Sequence, residues 1–332
     1  MDNSGLSGKI GITTTIPVEV VFAAGLVPVD LNNIFITSPD PASMVARAEG
    51  RGLPRNLCSW VKGIYAALLD NPDISTVIAV TEGDCANTLS MLDLLSASGL
   101  KVITFAYPHN RDPRLLHHNI ARLEARLGVN RSQTEQWRHR LNRVRGLALE
   151  VDRLTWQEHR VTGFENHLAQ ICLSDFNGNP HQFARQLEEL IAGAQGREPS
   201  KHRHRLGYCG VPPVFSDLYD YLESMGAGVV YNEMQHQFAM PGNAGDVVEQ
   251  YMEYTYPYSF DRRIADIKSH VSQRKLDGLI HYIQSFCHHQ IQDSRLRDSM
   301  KVPMLTLEGD KPGPLMERNC IRLESFIEML GI

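Results

Sequence analysis

Residues 74–81, Ile-Ser-Thr-Val-Ile-Ala-Val-Thr, constrain this chain more than any other stretch. The run is β-branched and apolar at consecutive positions, so both faces of the strand it predicts must be covered. Such a strand belongs to a parallel sheet with helices above and below it. Glu82-Gly83-Asp84-Cys85-Ala86-Asn87 follows, then a helix over 88–98 with Leu89, Met91, Leu92 and Leu95 as its apolar side, then Gly99 and a strand over 101–105. Strand, helix and strand in this order make a βαβ unit. Cys85 therefore stands where a strand ends and a helix starts, the crest at which open α/β sheets bind ligands.

The same grammar recurs on both sides of this unit. Residues 9–14 open with a β-rich run, Pro17 and Gly25 punctuate a helix over 18–24, and 26–31 read as a strand. A helical piece over 43–49 leads to Cys58, which sits just past the Pro54-Arg55 turn where a helix over 59–69 begins. A thiol at a helix N-terminus feels the positive end of the dipole, which favours thiolate, the form that binds metal or attacks. From residue 206 strands are expected at 206–209, 228–231, 276–283 and 302–307, alternating with helices at 215–225, 257–272, 290–300 and 319–330. Cys209 and Cys287 each follow one of these strands, and 232–238 reads as a loop.

Between these halves the signal changes. Over 110–196 strand candidates vanish, and helices are expected at 115–127, 132–158 and 182–194. Arginines outnumber acids eleven to six between Arg111 and Arg160, which describes either a solvated helical surface or a docking face for an acidic partner or a phosphorylated ligand. Residues 196–205 read as a polar linker. The expected organisation is an α/β domain over 1–109, a helical region over 110–203 and a second α/β domain over 204–332.

Composition excludes several classes. A chain of 332 residues with 42% hydrophobic and 21% charged content is an ordinary globular protein of about two domains. Its net charge of -5 and lack of a polybasic tail argue against nucleic acid or a membrane surface as partner. No apolar run approaches the roughly 20 residues of a membrane span. The opening residues 1–9 lack the apolar core of a signal peptide, which points to the cytoplasm. None of the six cysteines forms a CxxC pair, so a zinc ribbon or thioredoxin site is not expected, and disulfides are improbable in a reducing compartment. The chain has no glycine fingerprint for a dinucleotide and no phosphate-loop lysine motif, so it is not expected to hydrolyse ATP itself.

Cys58, Cys85 and Cys287 share one topological address, the loop-to-helix side of an α/β unit. If two such domains face each other, all three point into one cleft. Three thiolates from distant loops suit an iron–sulfur cluster, or a zinc ion given a fourth ligand. The bland alternative is three unconnected core thiols. Cys172 and Cys320 lie in or beside helices and read as core or surface thiols.

Several collinear segments carry a family resemblance. Pro17-Val18-Glu19 with Ala23-Ala24-Gly25-Leu26-Val27-Pro28-Val29 resembles the opening of the 2-hydroxyacyl-CoA dehydratase / benzoyl-CoA reductase family. Leu57-Cys58-Ser59 with Lys62 is similar to that family's first cluster-cysteine segment. Asp84-Cys85-Ala86 resembles the second, departing by one residue from the Cys-Asp often found there. Asp277-Gly278-Leu279-Ile280 followed by Cys287-His288 resembles the third. Val302-Pro303, Leu307-Glu308-Gly309-Asp310 and Arg322-Leu323-Glu324-Ser325-Phe326-Ile327-Glu328 look like its closing pattern. The likeness spans nearly the whole chain, with the helical middle least diagnostic.

The resemblance implies an α/β fold of two Rossmann-like parallel-sheet domains with a helical insertion between them. It implies a 4Fe–4S cluster on Cys58, Cys85 and Cys287 in the interdomain cleft, and pairing as a homodimer or with a related subunit. It further implies a separate ATP-hydrolysing iron–sulfur activator that injects a low-potential electron. The outcome would be reductive dehydration of a 2-hydroxyacyl-CoA or reduction of another demanding small substrate. A branch of the family carries a double-cubane cluster on additional cysteines. Cys209 matches one of these, nearby or as an extra ligand, whereas Glu233 and Met234 stand where others would be, which favours a single cubane. The hydroxyls of Thr13, Thr14 and Thr15 are expected near the sulfurs. Glu82, Glu233, Gln235, His236, His288 and His289 are expected on loops bordering the cleft, with Thr14, Glu233 and His236 as the catalytic candidates. Two other readings stay open: an accessory electron-transfer protein of this fold without acyl-CoA chemistry, and a redox-inert module that binds a small molecule or zinc.

Overall fold

Five consecutive positions of the strand Thr76–Glu82, from Thr76 to Val80, are buried, so the sheet that contains them is covered on both faces. The structure, a computed structural model, describes residues 8–97 and 99–331, apart from the side chain of His288. Residues 1–7, most of the polar opening read above, and Ser98, the expected end of a helix, lie outside the described residues.

The first sheet comprises β1 (Lys9–Ile12), β2 (Val27–Asp30), β3 (Thr76–Glu82) and β4 (Lys101–Ala106) in the order β2-β1-β3-β4. The second comprises β5 (His204–Cys209), β6 (Ala227–Asn232), β7 (Gly278–Ile283) and β8 (Met304–Glu308) in the order β6-β5-β7-β8. All six strand pairings are parallel. Each sheet steps outward from its first strand, then returns to the first strand's other side. The switch points therefore lie between β1 and β3 and between β5 and β7.

Apolar faces place the helices. Val61, Ile64 and Leu68 of the helix Ser59–Asp70 and Met91, Leu92 and Leu95 of Ala86–Ala97 pack on β3 residues Val77 and Ala79. The same apolar core continues through Leu206, Tyr208 and Ile280 of the second sheet, so the two halves share packing. On the other face of the first sheet, the helix Val18–Ala23 packs with the long helix Arg131–Trp156. No helix among the described residues is long and apolar enough to cross a membrane.

The long helix also clamps both halves through buried charge. Arg145 donates to Glu19 at 2.8 Å, and Gln250 and Tyr251 donate to the same carboxylate. Two turns on, Asp152 accepts two hydrogen bonds from Arg274, which also reaches the Val230 carbonyl of β6. Buried carboxylates persist only when satisfied in this way. Arg145 is thus neither part of a solvated surface nor of a docking face.

The structure also differs from expectation in its short helices. Leu31–Ile36 starts directly from β2 with Asp30 as its N-cap, Gly163–Ile171 follows a Thr162/Glu165 capping box, and Val247–Glu253 is capped by Asp246. Residues 232–238 are not a loop: Glu233–Phe238 is helical, because the chain turns inward immediately after β6. The helix expected over 290–300 is broken at Gln292 into His288–Ile291 and Asp293–Ser299.

Candidate active site

The loops at the two switch points face one another across a single pocket. β1 leads into Thr13-Thr14-Thr15, β3 into Asp84-Cys85, β5 into Val211-Pro212 and β7 into Gln284 and Phe286-Cys287, and all of these line it. Two glycines permit the sharp exits. Gly83 has φ +94°, and a Cβ there would meet Pro257 Cβ at 2.7 Å and Tyr107 Cβ at 2.9 Å. Gly210 has φ +104°, and its Cβ would lie 2.4 Å from the Tyr282 carbonyl oxygen.

Cys58, Cys85 and Cys287 all stand on this wall, half-buried. Each occupies the start of a helical segment, so backbone N–H groups point at its sulfur: those of Trp60 and Val61 at Cys58, Asn87 and Thr88 at Cys85, and His289 and Gln290 at Cys287. The helix start was expected to favour thiolate. Burial outweighs it, pushing the Cys58 thiol up to about 11 and the Cys85 and Cys287 thiols upward too. Cys58 is near enough to feel both other sulfurs. Among the described residues, no three His, Cys, Asp or Glu side chains converge closely enough to hold one metal ion. A single zinc ion would need its thiolates within about 4 Å of each other.

The other expected residues divide. Thr14 lines the pocket, half-buried, beside Thr13 and Thr15. His289 lines it as well, with Nδ1 3.0 Å from Arg263 Nη1. Glu233 and His236 stand behind the wall, and helical geometry gives the reason. Met234 and Phe238, one turn apart, present the face of Glu233–Phe238 that meets the pocket, so His236 lies on the opposite face. Glu233 accepts two hydrogen bonds from Arg263 and one from the Gly210 N–H at 2.9 Å. Burial pushes its carboxyl up, but the charge and hydrogen bonds of Arg263 hold it below the usual range. His236 lies 3.5 Å from Asp152, and burial brings it down to about 4. Gln235 meets His167, and Glu82 accepts from the His109 N–H at the surface. Cys209 is fully buried among Val230, Leu279 and Leu296, outside the pocket lining. Cys172 and Cys320 are also absent from it.

A family model described as 2-hydroxyglutaryl-CoA dehydratase, D-component, matches residues 13–330. The chain belongs to this family. It is a dehydratase component of the 2-hydroxyacyl-CoA dehydratase type, a lyase. No curated protein matches its sequence.

The pocket of this dehydratase component holds further residues that the sequence reading passed over. Asp30 is buried on the wall, and burial raises its carboxyl despite hydrogen bonds from Asn32. Behind it, Asp175 accepts from the Asp30 N–H at 2.7 Å, and burial together with the Asp30 charge pushes it up to about 7. Asp84, half-buried, is pushed up to about 6 by loss of hydration and accepts from Tyr256 Oη at 3.4 Å. Trp60, Tyr254, Tyr256 and Gln284 complete the polar wall. Asp30-Leu31-Asn32-Asn33 carried a legible signal, an Asp N-cap at a strand end. The Tyr254-Thr255-Tyr256 segment carried none, because only tertiary packing brings it to the pocket.

Proposed function

We propose that this chain is the iron–sulfur subunit of a 2-hydroxyacyl-CoA dehydratase system, with one 4Fe–4S cluster on Cys58, Cys85 and Cys287. The supporting observation is that three cysteines far apart in sequence stand on one pocket wall, each with backbone N–H groups aimed at its sulfur. A cube of irons takes its thiolates from points spread farther apart than a single ion does, which suits cysteines on three separate loops around one pocket. When bound, the cluster supplies single low-potential electrons and one iron without a cysteine ligand. Backbone N–H groups at the sulfurs tune such a centre.

The remaining roles belong to this chain's own side chains. The apolar wall around Val61, Ile64 and Met234 excludes water from the ligand. Asp30, a buried carboxyl on the pocket wall, holds or accepts a proton at the substrate, and the Thr14 hydroxyl orients it. Glu233 acts indirectly: it fixes Arg263, which fixes the His289 ring. Cys209 contributes packing rather than a ligand.

The units 1–109 and 204–332 form the two walls of the site, and 110–203 holds them in register. The substrate is a 2-hydroxyacyl thioester that loses water. ATP hydrolysis lies with a separate iron–sulfur activator, and the chain pairs with a copy of itself or a related subunit in the cytoplasm. Anaerobic reconstitution with iron and sulfide, then electron paramagnetic resonance after low-potential reduction, tests this reading. A reduced-cluster signal in the wild type that Cys287→Ala loses is expected. A silent wild-type spectrum with no iron uptake contradicts the reading.

A further inference from the structure

A sheet edge carries a row of unbonded N–H and C=O groups, which folded chains cover or occupy. Three of the four edges here are treated in that way. On β8 the outward carbonyls of Met304, Thr306 and Glu308 accept from the side chains of Arg297, Arg322 and Asn319. On β2 Pro28 has no N–H to offer, and the Asp30 N–H donates to Asp175. On β6 the Val230 carbonyl accepts from Arg274, and Gly163 packs against the Val229 carbonyl.

β4 is left open. The Lys101 N–H donates to the Ser75 carbonyl, and in a parallel pair this turns the bonding groups of Lys101, Ile103 and Phe105 toward β3. The N–H and C=O groups of Val102 and Thr104 therefore point away from the sheet, and no described residue bonds to them. Thr104 is exposed, and of the outward carbonyls that of Ala106 alone is taken, by Asn119 at 2.9 Å.

The edge opens on a groove whose far wall is the helix Pro113–Leu127, running back along β4 from Asn119. Arg122 and Arg126 line this groove, both exposed, and there is no Asp or Glu among its described lining residues. The arginines on either side are paired, Arg114 with Asp112 and Arg131 with Glu124, whereas Arg122 and Arg126 meet no described carboxylate. Residues four apart stand about 6 Å apart along a helix, and alternate residues about 6.7 Å apart along a strand. A strand laid on β4 thus brings two alternate side chains level with the two guanidiniums. A second copy of this chain paired edge to edge would instead set Arg122 and Arg126 against their own counterparts, so charge favours a different occupant.

We propose that the open edge of β4 docks an extended acidic segment of a partner protein, which adds a fifth strand and places two carboxylates, two residues apart, over Arg122 and Arg126. The site shares no residue with the cysteine pocket.

A blocked hexapeptide of alternating glutamate and valine, added to the full chain purified anaerobically, tests this by amide hydrogen exchange and by fluorescence anisotropy of the labelled peptide. Exchange over 101–106 is expected to slow at least about tenfold at saturation, with no effect from the matching lysine–valine peptide. Arg122→Glu with Arg126→Glu is expected to weaken binding at least about tenfold. Thr104→Pro removes an edge N–H and is expected to abolish docking with both arginines in place. Should it fail to fold, the charge reversal, made at exposed positions, carries the test. Unslowed exchange over 101–106 in the folded wild type, slowing confined to other segments, or equal binding of the two peptides overturns the proposal. Protection of 101–106 that grows with protein concentration alone also overturns it, because a second copy would then occupy the edge.

Discussion

Removing Arg263 would strand a charge. The Glu233 and Arg263 side chains are only 4% and 3% exposed and share two hydrogen bonds of 2.5 and 2.8 Å. With Arg263→Met, Glu233 keeps one charged-state partner among those seen here, the Gly210 N–H. Breaking a buried pair from one side costs about 3–5 kcal/mol, because the remaining charge has lost its hydration and its partner. Urea unfolding near neutral pH is therefore predicted to show that loss. Adding Glu233→Gln removes the stranded charge, so the double variant recovers about 2–3 kcal/mol of it. The pH dependence has a definite sign. In the wild type the depressed Glu233 carboxyl contributes stability above its ordinary value of 4.5 and loses it as pH falls through the lower folded value. In Arg263→Met the carboxyl takes up a proton more readily, so the deficit shrinks between about pH 7 and pH 5. A deficit below about 1 kcal/mol, or two losses that simply add, would refute the reading of Glu233 as a brace.

Three further predictions address neighbouring features. Gly83→Ala forces a side chain into φ +94° against Pro257 and Tyr107, so unfolding should show a loss of about 2–4 kcal/mol, and an unchanged midpoint would contradict the close approach. Cys209→Ala should lower stability by about 1 kcal/mol while leaving iron content unchanged; lost iron would make Cys209 a ligand after all. The Asp175 carboxyl is raised from 3.8 to about 7, so the fold holds its proton across that window and loses stability as pH rises through it. Asp175→Asn should therefore gain on the wild type between about pH 4 and pH 7 in parallel unfolding curves, and a constant difference would contradict the shift.

Much of this architecture was legible because both-face burial leaves a coarse mark on sequence. The run through Val77, Ile78, Ala79 and Val80 announces a covered parallel strand, and the cysteine after it announces a crest position. Short helices were harder. The apolar run into Leu31 hid the boundary at Asp30, and Glu233-Met234-Gln235-His236 shows too little apolar periodicity to declare a helix, although that helix decides which of its residues meets the pocket. The buried pairs were beyond reach for a different reason. Glu19 with Arg145 and Asp152 with Arg274 are joined only by tertiary packing, so no spacing in the sequence pairs them, and Arg145 counted among the arginines of a solvated surface or docking face. The same holds for Trp60, Tyr254 and Gln284, which become one wall only when the two switch points face each other.

Iron and acid-labile sulfide, counted per chain after anaerobic purification, test the central claim most directly. The account predicts about four of each in the wild type. It predicts their loss in Cys58→Ala, Cys85→Ala and Cys287→Ala, with Cys172→Ala unchanged. Full iron content in any of the first three variants, or none in the wild type, would contradict it.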